Sequence, residues 1–576
     1  MNMSKNIVSG SEAILRCLEN EGVDTIFGYP GGQIMPVYDR LYDHGDKLRH
    51  ILVRHEQGAI HAAQGYARAT GKVGVVLVTS GPGATNVLTG IMDAKVDSTP
   101  VVVISGQVSS AALGTDAFQE ADIIGMTGPV TKWNYQIRRA EDIAWAVARA
   151  FYIAKNGRPG PVTLDLTKDA QVGMIENFEF KSCKFIRSYD PYPKPSEESI
   201  AKAAMLINEA KRPFVVFGQG ITLGGAENEL KEFLDKGDIP AGSTLLGLSA
   251  LPTDDPHFMG MIGMHGYIAP NIKTNECDVL IAVGMRFDDR VTGTVSSYAK
   301  QAKIIHIDID ECEIGKIIPV DVGILGDAKT VLNELTARIA KGDHKEWIDS
   351  FQECYKVEKE KVIDPEVHPT SGYIKMGEVV DAVAQATDGN AIVITDVGQN
   401  QMIAARYSKF RHGRSLISSG GLGTMGFGLP AAIGAKIGVP DRPVCLFVGD
   451  GGIQMTIEEF GTIMQEKTGV KIFLLNNNWL GNVRQWQELF FNERYSQTRM
   501  ENPDYKSLAS AYGIKCLVVE KREDLESAVK EALSDDAPVL VDVHVCEADN
   551  VMPMIAPGKP INNIMLNKTE HYEYGK

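Results

Sequence analysis

Mainly apolar runs of four to six residues recur along the chain, most of them bounded by glycine, proline or acidic positions, and they alternate with longer mixed stretches of helical spacing. Val73–Val78, Val101–Ile104, Val162–Leu166, Phe214–Phe217, Val279–Val283, Ile304–Ile307, Ala391–Ile394, Cys445–Val448, Ile472–Leu475 and Val539–Val543 are runs of this kind. Short β-rich runs alternating with helical segments predict an α/β fold with mostly parallel sheets. Two stretches interrupt the alternation. Ser188–Ser196 is proline-rich and expected to be extended. The stretch from Lys341 to about Pro369 is highly charged and helical in part. They predict three doubly wound domains, at about 4–187, 192–340 and 368–546, and a C-terminal tail, 547–576. Prolines exclude a long helix in that tail. It is expected either to pack as a terminus or to close over an active site as a lid.

A length of 576 residues agrees with three domains at roughly 100–200 residues each. The net charge of −16 disfavours a nucleic-acid or anionic-membrane surface, but leaves room for a local phosphate pocket. The eight cysteines are scattered, with no C-x-x-C and no zinc spacing, as expected of reduced thiols in a cytoplasmic protein. No apolar run approaches the roughly 18 residues of a membrane span. The first residues carry Glu12, Arg16, Glu19 and Glu21 and no apolar signal core. His55-Glu56 and His61 lack the one-turn spacing of zinc-binding histidines.

The most informative chemistry lies late in the chain. Gly449-Asp450-Gly451 closes one apolar run and Asn476-Asn477-Asn478 closes another, with Asp450 and Asn477 separated by 27 positions. Between them Met455 to Glu466 is expected to be helical. Such a strand–helix–strand unit brings both polar clusters to one edge of a parallel sheet. One carboxylate, one amide oxygen and a turn carbonyl can hold a small hard cation such as Mg²⁺, with phosphate oxygens completing its shell. Gly451 and Gly452 let backbone N–H groups approach a diphosphate. Each half alone is an ordinary turn; together they resemble the thiamin-diphosphate motif.

Thiamin chemistry also needs a buried acid at the pyrimidine ring. Glu56, in Arg54-His55-Glu56-Gln57-Gly58-Ala59, opens an expected helix and is the candidate, on a different domain from Asp450. A shared site would then lie at a subunit interface. Thr79–Asn86 is expected to be a strand–helix connector, with pyrimidine contact as an additional role. In the middle domain, Gly218-Gln219-Gly220 follows a strand but is not the full dinucleotide fingerprint. Asp308 ends another strand, where a carboxylate can meet a ribose or adenine. Arg286 and Arg290 either face a pyrophosphate or pair with Asp288 and Asp289.

From about Lys5 to Gly558 the chain resembles the catalytic large subunits of the thiamin-dependent acetohydroxyacid (acetolactate) synthases. The resemblance rests on Phe27–Gly32, Arg54–Ala59, Gly114–Asp122, Arg158–Pro161, Gly263–Gly266, Arg286–Gly293, Gly420–Gly426 and Val483–Gln487, in that order. It implies that Glu56 activates the cofactor, that the Gly32 backbone faces an oxyanion, and that Gln119, Lys168 and Phe118 line the substrate pocket. Val397, Gly398, Gln399 and Gly423 would contact thiamin diphosphate, with Met425 as the apolar prop beneath it. Asp450, Asn477 and the Trp479 carbonyl would hold Mg²⁺. Arg158, Gly218, Gly220, Met264, His265, Gly266, Gly284, Arg286, Asp288, Arg290, Asp308 and Asp327 would form an FAD site whose flavin has no net redox role. Trp486 would narrow the acceptor pocket, and Arg290 would meet the acceptor carboxylate.

The implied reaction decarboxylates pyruvate on thiamin diphosphate. The hydroxyethyl carbanion then condenses with pyruvate or 2-ketobutyrate, giving 2-acetolactate or 2-aceto-2-hydroxybutyrate, an entry step to branched-chain amino acids. Water must be excluded, because protonation would release acetaldehyde. A homodimer or homotetramer follows from a split site, and a regulatory small subunit is the partner class that the resemblance brings with it. Gln33, Asn400 and Asn482 depart from the family pattern, which has a small residue, His and Met at those places. A pyruvate oxidase-like flavoenzyme is the rival reading, and Trp486 and Arg286–Gly293 count against it.

Overall fold

The computed structural model describes residues 6–572. The expected first domain begins at residue 4 and the expected tail ends at 576; residues 1–5 and 573–576 lie outside the described residues. Three six-stranded sheets, parallel at every pairing, follow one another along the chain. The α/β architecture expected from the alternation of runs is therefore present three times.

Each of the ten apolar runs becomes a strand, most of them buried along their whole length, as sheets covered by helices on both faces require. The remaining strands of the three sheets are short or lie at sheet edges, for example Arg49–Leu52, Trp133–Ile137 and Lys515–Val519.

Strand order decides where ligands can sit. With strands numbered along the chain within each sheet, the first and third sheets both run 2-1-3-4-6-5. The middle sheet runs 3-2-1-4-5-6, the order of dinucleotide-binding folds. In each sheet the order reverses beside its first strand, and loops leaving the carboxyl ends of the two strands there diverge to leave a crevice. The reversal falls between Thr25–Gly28 and Gly74–Val78, between Pro213–Phe217 and Val279–Val283, and between Ile392–Thr395 and Val444–Gly449.

The first and third domains are joined through two helices, Glu56–Thr70 and Gly428–Gly438. Their backbones touch. A Cβ on Gly65 would lie 2.0 Å from the Ala431 carbonyl oxygen, and one on Gly434 would lie 1.8 Å from that of Ala62. Only glycine at both crossing points permits this approach.

One expected element is corrected. Met455–Glu466 is not a continuous helix but a helix Asp450–Gln454, a 3₁₀ turn Ile457–Glu459 and a helix Phe460–Glu466. Thr456 breaks it: its buried hydroxyl donates to the Gly426 carbonyl at 2.9 Å, and its backbone, at φ −141° and ψ 27°, lies outside the helical region. The tail packs along the middle domain, where Ile555, Ile561 and Ile564 join Phe287 and Tyr298 in one apolar cluster.

Candidate active site at the strand ends

In the first domain the expected residues gather at the sheet's reversal. Gly31 and Gly32 follow the strand Thr25–Gly28, and the space that a Gly32 side chain would occupy is open to 4 Å. Lys168, the first residue after the strand Val162–Thr167, donates its Nζ to the Gly32 carbonyl at 3.3 Å. Glu56 is the first residue of its helix, with His55 as the cap, whose ring nitrogen accepts the Gln57 N–H at 3.1 Å. The half-buried Glu56 carboxylate accepts the Asn86 side-chain N–H at 2.9 Å. Gln119 has φ 61° and packs on Gly81. The turn 79–86 thus touches Gly31, Glu56 and Gln119 together, more than a plain connector would do. Phe118 is exposed.

In the third domain the third reversal gathers Val397–Gln399 and Asp450–Gly452. Asp450 is buried at the start of its short helix, and desolvation raises its carboxyl to about 6. Its Oδ2 accepts the Asn502 side-chain N–H at 2.7 Å. Asn502 also donates to the side-chain oxygens of Asn476 and Asn478, at 3.0 and 3.1 Å. Asn477 Oδ1 accepts the Trp479 N–H at 3.1 Å, and its Nδ2 donates to Gln399 Oε1 at 3.3 Å. Met425 Cε would lie 3.6 Å from a Cβ on Gly451. The backbones of Gly398 (φ 132°) and Gly423 (φ 74°) occupy regions that side chains disfavour. The strand-end Asp396, fully buried, accepts the N–H groups of Val397, Gly426 and Gly428. No cluster of three His, Cys, Asp or Glu residues suited to a metal occurs among the described residues. The donors at Asp450–Asn477 are instead one carboxylate, one amide oxygen and carbonyls. A buried carboxylate with no cationic side chain against it is a fitting seat for a hard cation.

A cavity of about 600 Å³ connects the middle and third domains. From the middle domain it is lined by Gly218, Gly220, Met264, His265, Gly284, Arg286, Asp288, Arg290, Asp308 and Asp327, and from the third by Val397, Gly398, Gly423 and Trp486. Arg158 reaches it from the first domain. Gly266 is turned away, its carbonyl accepting from Arg406 at 2.9 Å. The two arginines that had alternative partners pair locally, Arg286 with Asp288 at 3.4 Å and Arg290 with Asp289 at 3.3 Å. Arg158 pairs with Asp310 and Glu313. Burial raises the Asp308 carboxyl to about 6, and burial with two nearby arginines lowers His265 to about 3. Asp327 also caps the helix Ala328–Arg338.

This cavity is lined by none of Gly32, Glu56, Phe118, Gln119 and Lys168. Within one chain the two groups of candidate residues do not share a pocket. Asn86, at the end of the expected connector, holds Glu56, and three residues given no role from the sequence hold other candidates in place: Asn502 on Asp450, Asp396 beneath the third reversal, and Glu459. The last has its side chain buried against the backbone of Arg54 and His55.

A ligand-sized cavity shared by the middle and third reversals, an Asp–Asn pair at the third and a helix-initial glutamate at the first define a thiamine pyrophosphate enzyme. Residues 8–126 match the N-terminal TPP binding domain of that family, 200–335 its central domain and 396–543 its C-terminal TPP binding domain. The acetolactate synthase large subunit of Lactococcus lactis is 44% identical over 96% of this chain and 95% of its own length. That of Haemophilus influenzae is 43% identical over 98% and 99%. The probable acetolactate synthase large subunit of Methanocaldococcus jannaschii is 44% identical over 97% and 95%. The chain belongs to the acetolactate synthase large-subunit family. No helix among the described residues is long and apolar enough to cross a membrane.

Proposed function

We propose that the chain catalyses the acetolactate synthase reaction. Pyruvate loses CO₂, and the remaining two-carbon unit joins a second pyruvate to give 2-acetolactate, or 2-ketobutyrate to give 2-aceto-2-hydroxybutyrate. One observation carries this reading: the Asp450–Asn477–Gln399 cluster adjoins a cavity walled by Trp486, on a chain about 44% identical throughout to relatives of that name. Those names also disfavour the oxidase alternative.

Thiamin diphosphate, when bound, supplies the carbon nucleophile and the electron sink for decarboxylation. The protein's part is to hold, orient and keep dry. Asp450, Asn477 and the Trp479 carbonyl are the Mg²⁺ donors. Val397, Gly398, Gln399, Gly423, Gly451 and Gly452 seat the cofactor, with Met425 beneath it. Glu56 would hydrogen-bond the pyrimidine N1′ of the bound cofactor. Gly32, Gln119 and Lys168 surround the reacting carbonyl. Arg290 meets the acceptor carboxylate, Phe118 shapes the pocket and Trp486 narrows it. The middle-domain part of the cavity would hold FAD; the dinucleotide strand order supports it, and the reaction balances without an electron acceptor. Because Glu56 and the cavity lie apart in one chain, the working unit is at least a dimer, completed at the interface. A regulatory small subunit and a cytoplasmic location accompany this reading. The domains are taken as 4–187, 192–340 and 368–546. The tail, bonded through the Asp549 carbonyl to Gln399 at 2.8 Å, is the cover of the site.

The test is product analysis with pyruvate, Mg²⁺, thiamin diphosphate and FAD, with and without 2-ketobutyrate. Acetolactate, joined by acetohydroxybutyrate in the mixed assay, is expected. Acetate or acetyl phosphate with flavin reduction, or acetaldehyde alone, would overturn the assignment.

A further inference from the structure

Gln485 precedes Trp486 on the helix Gly481–Phe490 and is fully buried. Its side-chain amide is used at both ends. Oε1 accepts the Val551 N–H at 2.8 Å and the Gln399 side-chain N–H at 3.1 Å. Nε2 donates to the Val551 carbonyl at 3.2 Å. One amide therefore pairs with both backbone groups of a tail residue, as a neighbouring strand would, while also joining the Gln399 side chain. Gln399 in turn accepts from Asn477.

The helix carrying Gln485 has an anchored face and a free one. Gly481, one turn earlier on the anchored face, is so close to Gln399 that an added Cβ would lie 2.1 Å from its Oε1. Arg484, also buried, donates to the Asp549 carbonyl at 2.6 Å and to Asn550 Oδ1 at 2.7 Å. Asn482 and Trp486, four residues apart on the adjacent face, line the cavity. The rotation of the helix about its axis therefore sets where the Trp486 ring stands. A side chain ~6 Å from a helix axis moves by ~1 Å for a 10° turn. That is the scale on which a pocket distinguishes a methyl from an ethyl group.

We infer that Gln485 is a positioning residue for acceptor choice: it fixes the helix between Gln399 and the tail at Val551, and so holds Trp486 at the distance that separates 2-ketobutyrate from pyruvate. This rests on the proposed function and on the pocket role of Trp486. Gln485 touches neither substrate nor cofactor in this account, and its effect is on selectivity rather than on the reacting atoms.

Gln485→Glu keeps the acceptor oxygen but sets a second oxygen against the Val551 carbonyl. Gln485→Met keeps the length and removes both polar ends. The holoenzyme of each, beside wild type and Trp486→Leu, is given pyruvate and 2-ketobutyrate together, and the ratio of the two products is read. A fall in 2-ketobutyrate preference of roughly 3–10-fold is expected in both Gln485 variants, at or below the lower end of what one methylene commands in an apolar pocket, because the ring is displaced and not removed. Acetolactate formation from pyruvate alone should stay within about threefold of wild type, since Gln399 keeps its bonds to the Asp549 carbonyl and to Asn477. A second readout needs no turnover. Amide hydrogen exchange on the cofactor-free chain should rise together in peptides covering 481–490 and 549–556 of Gln485→Met. Unchanged product ratios beside a changed ratio in Trp486→Leu, or unchanged exchange in both peptides, would overturn the inference. An unchanged ratio in Trp486→Leu would instead remove the pocket role on which it rests, and the inference with it.

Discussion

The Glu459 carboxylate accepts the backbone N–H of His55 at 3.1 Å, and the residue after His55 is Glu56. The same oxygen accepts the Arg54 N–H at 3.0 Å, while the other accepts the Thr462 hydroxyl at 2.6 Å. A buried side chain of the third domain thus fixes the entry into the helix that presents Glu56. Burial pushes its carboxyl up to about 7. Glu56→Gln should lower kcat by roughly 10²–10⁴, the span of a positioned acid–base group. Glu459→Ala leaves two buried N–H groups unpaired and lets Glu56 drift, so kcat should fall by about 10². Glu459→Gln can still offer Oε1 to both amides and should stay within about threefold. Steady-state kinetics on the three variants decide; equal losses in Ala and Gln would mean that ionisation at Glu459, not its acceptor oxygen, matters.

Asn502 orients Asp450 and ties it to the asparagine run. Side chains that hold a metal ligand in place typically tune metal affinity by 10–100-fold. Asn502→Ala should therefore raise the Mg²⁺ concentration needed for thiamin diphosphate binding by that factor, with little change at saturating Mg²⁺. Titrating Mg²⁺ against thiamin-dependent quenching of protein fluorescence measures it. Chelation of Mg²⁺ should release the cofactor from both wild type and variant.

Much of the scaffold was legible because a central parallel strand must be apolar on both faces, and Val279–Val283 or Ile472–Leu475 can hardly be anything else. Arg49–Leu52 and Trp133–Ile137 were not, because each is a sheet edge with half-exposed side chains and no such run. The motif residues were legible by type and spacing. Their supports were not. Asn502 acts on a carboxylate 52 positions away, and Glu459 on amides 404 and 405 positions away. Nothing in local sequence marks an ordinary Asn or Glu as the partner of a distant backbone. The break at Thr456 was hidden for the same reason, since its hydroxyl leaves the helix for the carbonyl of Gly426.

Asp93 and Asp97, at the helix Leu88–Val96, hold the cavity loop 419–424 from the first domain. Asp97 accepts the N–H groups of Gly420 and Gly421 at 2.9 and 2.8 Å, and Asp93 accepts the hydroxyls of Ser419 and Thr424. Arg68 pairs with Asp97 at 3.4 Å, both side chains buried. Burial raises the Asp97 carboxyl to about 6. In Asp97→Asn an amide N–H₂ faces at least one backbone donor, so the loop must shift. A penalty of about 1–3 kcal/mol for one unsatisfied buried group corresponds to roughly 5–150-fold in an equilibrium constant. Flavin retained after gel filtration, read from its absorbance, should fall accordingly; full retention would show that the loop tolerates the change.

His61 lies inside the helix pair that joins the first and third domains. It is fully buried, edge-on to Phe427 at 5.3 Å, with Nδ1 facing the Gln64 amide at 3.3 Å and Nε2 without a partner. Burial lowers its pKa to about 3, against about 6.5 in an unfolded chain. The folded state therefore prefers the neutral ring. Stability from this group is intact above pH 6.5 and is lost as pH falls from 6.5 towards 3, at up to about 1.4 kcal/mol per pH unit. His265, also lowered to about 3, adds a second loss of the same sign over the same window. Thermal midpoints measured between pH 7.5 and 5 should drop more steeply in wild type than in His61→Gln, whose side chain does not titrate. His61→Gln should be less stable at pH 7.5, because it gives up the ring packing on Phe427, and should close the gap as the pH is lowered. Parallel profiles would mean that the ring reaches water, and that the helix pair opens well before the domains unfold.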